Sequence, residues 1–127
     1  MNNSVLCFCG SAISFQDCCR KYINGTQKTP TALALMKSRY SAYCTHQADY
    51  LLNTTHISER KHYSKTDFSN WALANEWQKL EIISFTDNTV EFKAYFKDEN
   101  KQNKIHHEFS TFIKEDGSWF YFDGKFY

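Results

Sequence analysis

Val90-Glu91-Phe92-Lys93-Ala94-Tyr95-Phe96-Lys97 is the stretch that decides the fold. Val90, Phe92, Ala94 and Phe96 recur at every second position, with Glu91, Lys93, Tyr95 and Lys97 between them, so an extended chain puts the two sets on opposite faces. A period of two fits a half-buried strand and excludes an amphipathic helix. Towards the N-terminus, Leu80, Ile82 and, less cleanly, Phe85 alternate from Lys79 onward, and Asp87-Asn88 makes a short hairpin turn. In the other direction the polar loop Asp98 to Asn103 leads into a third, less regular run from His106 to Lys114. Asp116-Gly117 then turns the chain into a fourth run, Trp119 to Asp123. Consecutive strands with such connections predict an antiparallel meander.

Upstream of Lys79 the period is helical. Thr29-Pro30 predicts a helix start, with Thr29 as N-cap and Pro30 in the first position. Leu33, Met36, Tyr40 and Tyr43 then form one apolar stripe, reaching about Thr45. Ala48 to Asn53 reads as a second, shorter helix, and Asp67 as the cap of a third that carries Phe68, Trp71 and Ala72 before Trp77. Three helices followed by four strands predict an α+β fold with the helices on one face of the sheet. No internal repeat or low-complexity tract interrupts this order, and the bend around Asn24 to Lys28 is the one obvious linker.

The size, 127 residues with 42% hydrophobic and 17% aromatic content, suits one packed core with a small appendage. Fifteen basic and 14 acidic residues leave a net charge of +1, which argues against a dedicated duplex-DNA binder. The charges are unevenly spread: 8 basic and 3 acidic residues up to Lys65, then 7 and 11 from Asp67 onward. The front half can therefore meet an anionic partner. No run approaches the roughly 20 apolar residues of a membrane helix. The opening MNNSVLCFCGS lacks the basic flank and apolar core of a secretion signal, so the expected location is the cytoplasm, without membrane contact.

Four of the five cysteines lie within CFCGSAISFQDCC, residues 7–19. A tetrahedral zinc site needs soft ligands at about 2.3 Å, which sets sulfurs roughly 3.8 Å apart, and Cys7, Cys9, Cys18 and Cys19 can meet that requirement on a tight loop. Gly10 can turn the chain at positive φ, and Ser11 can donate to a thiolate. Ser14 and Asp17 have the spacing of a helix N-cap, which places Cys18 and Cys19 in the first turns of a short helix running to about Tyr22. Three other readings compete. Unligated buried thiols would have little core to fill in so polar a segment. A disulfide between adjacent Cys18 and Cys19 would be strained and would leave Cys7 and Cys9 unexplained. Iron–sulfur clusters use the same atoms at wider spacings. Zinc is the expected cofactor, in a structural role, because four thiolates leave no open position for catalysis. Arg20, Lys21 and Lys28 form a basic rim beside it and are the expected partner-binding residues.

The run Cys7-Phe8-Cys9-Gly10-Ser11 with Cys18-Cys19 resembles the SEC-C zinc motif. LMKSRYSAY at 35–43, ADYLLNTTH at 48–56 and YFDG at 121–124 resemble the YchJ-like family. The resemblance implies a SEC-C motif over residues 1–25 and a nuclear transport factor 2-like domain over residues 29–127, a cone-shaped fold of helices on a curved antiparallel sheet. It also implies a protein partner, since SEC-C motifs in relatives are implicated in binding the SecB chaperone and the ribosome, with ribosomal RNA within reach. Phe8 stands where the motif commonly has proline, Ala12 where it often has glycine, and Ile57 where the family tends to have proline. The second SEC-C motif that some relatives carry has no counterpart within residues 1–127.

In the body, Arg39, Asp49, His56 and Asp123 are the candidates for a pocket. His56 with a carboxylate can act as a general base, although Asp49 is seven residues away and the plain reading is structural. Arg39 is expected to pair with Asp49 or Asp123. Trp71, Trp77, Trp119, Tyr121 and Phe122 are core residues or pocket walls. His106 and His107, adjacent on a strand, must face opposite ways. Cys44 reads as a buried thiol. The expected function is a non-enzymatic zinc-binding interaction protein with no catalytic residue assigned. The alternative is a small-molecule binder or enzyme using the cone pocket near His56.

Overall fold

The computed structural model describes residues 5–127. Four helices, α1 (Arg20–Ile23), α2 (Ala32–Cys44), α3 (Ala48–Asn53) and α4 (Lys65–Ala74), precede four strands, β1 (Glu76–Phe85), β2 (Thr89–Lys97), β3 (Asn103–Glu115) and β4 (Ser118–Phe126). The strands pair antiparallel in the order β1-β2-β3-β4, as consecutive hairpins require. Asp116 and Gly117 both take positive φ, 52° and 80°, the backbone of a tight hairpin turn. Register shifts between Trp77 and Lys79, Ile82 and Ser84, and Thr111 and Phe112 each add local twist, and the sheet curves over the helices.

The alternation that opened the sequence reading is the alternation of burial: Val90, Phe92, Ala94 and Phe96 are buried and their neighbours only half-buried. α2 lies on this face, packing Leu35, Met36 and Tyr40 against Val90, Phe92, Phe112 and Tyr121. Its other side is covered too. Ser38, Arg39 and Ser41 are buried, and the Ser38 hydroxyl satisfies itself on the Leu35 carbonyl and the Tyr50 hydroxyl. A second cluster, Ala42, Ala48, Leu51 and Phe68, ties α3 and α4 to α2. The segment after α3 joins the sheet: Tyr121 donates to the Thr54 carbonyl at 2.7 Å and His56 to the Tyr121 carbonyl at 2.8 Å.

Three helix starts differ from expectation. The chain stays extended through Thr31, at φ −141° and ψ 162°, whose side chain caps α2 by accepting from the Ala34 amide, so Thr29 and Pro30 lie before the helix. Ser64, not Asp67, caps α4; Asp67 lies three residues inside, donating its own amide to Ser64 while its carboxylate favours the positive helix end. The Ser14–Asp17 cap closes a separate 3-10 turn over Phe15–Asp17. Cys18 then breaks the chain at φ −118°, ψ −106°, and Cys19 becomes the N-cap of α1. A continuous helix would swing adjacent side chains about 100° apart; the break lets both sulfurs face one point. A further 3-10 turn, Ile57–His62, follows His56. No helix among the described residues is long and apolar enough to cross a membrane.

Candidate functional site

Leu6 pairs with Ser14 in an isolated antiparallel bridge, with the Cys7 amide bonded to the Ile13 carbonyl at 2.8 Å. This bridge brings Cys7 and Cys9 back over the 3-10 turn that presents Cys18 and Cys19. Gly10 makes the return at φ 87°, and Ala12 follows at φ 66°, a left-handed position that an L side chain occupies at a cost. The sulfurs of Cys7, Cys9, Cys18 and Cys19 all lie within 4.8 Å of one another. Cys9 Sγ and Cys18 Sγ are 3.8 Å apart, the edge of a tetrahedron with metal–sulfur bonds of about 2.3 Å. The donor set and the spacing fit a metal ion held by these four residues.

Two hydroxyls lie beside the sulfurs. Ser11 Oγ lies 3.2 Å from Cys18 Sγ and Ser41 Oγ 3.6 Å from Cys7 Sγ, both able to donate. Hydrogen bonds from the Cys19 and Cys9 thiols hold Cys7 well below the ordinary thiol range, while the same sharing, with burial, pushes Cys19 up. Ile23 packs on the cysteines and also on the Ala42–Leu51 cluster, so the centre is seated on the body.

Within the cone lies a second feature, a cavity of about 200 Å3 between α2, α4 and the sheet. Its walls are aromatic: Trp77 meets Tyr43 at 5.4 Å and Trp71 at 6.0 Å, and Tyr63 stacks on Phe68 with rings 7° from parallel. The buried carboxylate of Glu108 accepts from Ser110 Oγ at 2.7 Å and Tyr121 Oη at 2.8 Å, with His106 Nε2 at 2.7 Å. Burial raises the Glu108 pKa, but these three partners outweigh it and hold the group below the usual carboxylate range. Tyr121 moves the other way, raised by burial and then by the Glu108 charge. A side chain at Gly124 would collide with the Glu108 carboxylate, so glycine is required there.

Residues 31–124 match the family described as YchJ, middle NTF2-like domain. The chain belongs to the YchJ-like family. A UPF0225 protein of Photorhabdus laumondii is 40% identical over 126 residues, covering 94% of this chain and 79% of that one. One of Geobacter sulfurreducens is 35% identical, covering 94% and 78%. Among solved structures, a SEC-C motif containing protein from Rhodopseudomonas palustris superposes with a TM-score of 0.86 at 32% identity, covering 94% of this chain and 96% of that one. A SEC-C motif containing protein from Psychrobacter arcticus gives 0.81 at 31%, covering 97% and 84%. The α+β fold is therefore shared with these two SEC-C motif containing proteins.

In this YchJ-like chain the sequence candidates of the body do not converge. Arg39 lines the cavity, but forms no ion pair among the described residues; its Nη1 donates instead to the Leu51 carbonyl at 2.8 Å and Thr54 Oγ1 at 2.7 Å. Asp49 is exposed and meets Lys65 at 3.0 Å. His56 caps the 3-10 turn by accepting the Ser58 amide on Nδ1, which leaves Nε2 to donate to Glu115 at 3.2 Å. It lies against Phe120 and Phe122 and is absent from the cavity lining. Asp123 is exposed on β4. Trp71, Trp77 and Tyr121 line the cavity, whereas Trp119 and Phe122 do not. His106 and His107 face opposite ways, to Glu108 and Glu91. Lys21 lies over the Tyr22 ring, Arg20 is exposed, and Lys28 reaches the Gly117 turn. Sequence reasoning missed Glu108, whose signal was the irregularity of the third strand: a polar residue where the alternation calls for an apolar one.

Proposed function

We propose that this protein is a non-enzymatic zinc-binding interaction protein, in which a zinc-ordered knuckle docks on a protein or ribosomal partner. Zinc is favoured by the all-sulfur donor set and by the tetrahedral spacing. Four thiolates close the coordination sphere, so the ion supplies order and folding free energy, roughly 10–16 kcal/mol in isolated modules. The observation that carries the docking is the knuckle's inside-out distribution. Cys7, Cys9 and Cys19 are buried, while Val5, Leu6, Phe8 and Ile13 are 64%, 61%, 39% and 51% exposed. Large apolar side chains so concentrated on the outside of a small ordered loop mark an interaction surface. Arg20 and Lys21 directly follow Cys19 and add positive charge suited to an acidic protein surface or to ribosomal RNA.

The test compares the zinc-loaded chain with Leu6→Asp and with the double variant Arg20→Glu, Lys21→Glu in ribosome co-sedimentation and chaperone capture. Weakened capture by both, at unchanged zinc content, is the expected result. Capture as strong as that of the unsubstituted chain overturns the docking and leaves the metal centre as a structural staple alone.

A further inference from the structure

We infer that the cavity inside the cone is a binding site for a small aromatic carboxylate, with Arg39 as the group that recognises the anion. Two side chains that can carry charge, Glu108 and Arg39, reach the cavity, and only Glu108 has all its polar atoms engaged by hydrogen bonds. Glu108 has both oxygens engaged, Oε1 by His106 and Oε2 by Ser110 and Tyr121. Arg39 is 7% exposed, stacks its guanidinium 4.7 Å above the Tyr121 ring and has no carboxylate partner among the described residues. All its described hydrogen bonds leave from Nη1, to Leu51, Thr54 and Thr55. Yet among the described residues no fully buried side-chain nitrogen or oxygen lacks a partner. The Nε and Nη2 donors therefore meet open space, and the cavity is the open space that Arg39 lines. Together they form the fork that binds a carboxylate through two parallel hydrogen bonds. The body of the ligand follows from the walls. Trp77, Tyr43 and Trp71 present ring faces and edges suited to a flat aromatic ring, and a volume of about 200 Å3 excludes a nucleotide or a larger cofactor. None of these residues belongs to the cysteine centre, so the site can fail without touching the reading above.

The test uses the intact metal-loaded chain and three probes of one shape, benzoate, benzyl alcohol and benzylammonium, titrated against tryptophan fluorescence. Benzoate is expected to saturate at least tenfold more tightly than either of the others. Tightest binding by benzylammonium would assign recognition to Glu108, and equal or unsaturable binding of all three would show that Arg39 reads no anion; either result overturns the proposal. Location is read in the same unsubstituted protein. Nuclear Overhauser contacts from the benzoate ring to the Met36 methyl group are expected, and contacts only to surface methyl groups would contradict the site.

Discussion

The Cys7 sulfur lies 3.6 Å from the Ser41 hydroxyl, a contact that joins the cysteine centre to the buried side of α2 across 34 residues of chain. A hydroxyl that donates to a metal-bound thiolate orients the ligand and disperses its charge, and loss of such a partner typically weakens metal affinity about 10–100-fold. Ser41→Ala is predicted to lower retention by that factor in competition with a chromogenic chelator. Ser38→Ala is the control: it is equally buried on the same helix, but its hydroxyl serves Leu35 and Tyr50, and metal retention should not change.

Ala12 occupies φ 66° in the loop between the two cysteine pairs. The left-handed region costs an L residue about 1–2 kcal/mol, and glycine escapes most of that penalty. Ala12→Gly should stabilise the metal-loaded chain by up to about 1 kcal/mol, after the greater flexibility of glycine in the unfolded state is allowed for. Thermal unfolding checks this, and a lower melting temperature would count against the loop geometry.

Glu108 has a folded pKa below its ordinary value of 4.5, so its contribution to stability is fully present above about pH 4.5 and is lost as pH falls through the lower folded value. Glu108→Gln removes charged hydrogen bonds from Ser110 and Tyr121, and should destabilise the protein by about 1.5–3 kcal/mol at pH 7. That deficit should shrink well below pH 4.5, where the unsubstituted carboxyl is itself protonated. Denaturant titrations at neutral and acid pH test the sign, and an equal deficit at both would refute it.

Ile57 is 70% exposed at the first position of the 3-10 turn that His56 caps. Its amide makes no described hydrogen bond, so Ile57→Pro sacrifices none and reduces the freedom of the unfolded chain. A gain of about 0.4–1 kcal/mol is expected from thermal melts. A loss would show that the turn needs a backbone that proline cannot adopt.

Legibility in the sequence followed locality. The cysteine centre could be read because its four ligands lie within thirteen residues, and β2 because each apolar residue is answered by a polar one. β3 reads poorly because Glu108 and Ser110 occupy inward positions, stabilised by the Tyr121 hydroxyl from a neighbouring strand and by each other. Arg39 looked like half of an ion pair because an arginine on a helix invites a carboxylate. Its actual acceptors, the Leu51 carbonyl and the Thr54 hydroxyl, belong to a helix end whose approach no spacing reveals. The cavity has the same character. Tyr43, Tyr63 and Trp77 come from three separate segments and meet only when the cone closes.

The most direct measurement is the mass of the freshly purified chain under native conditions, followed by thiol counting on the same sample. One Zn2+ per chain is predicted, with four thiols protected and Cys44 the remaining one. A metal-free mass with all five thiols freely alkylated in the folded protein would contradict the account.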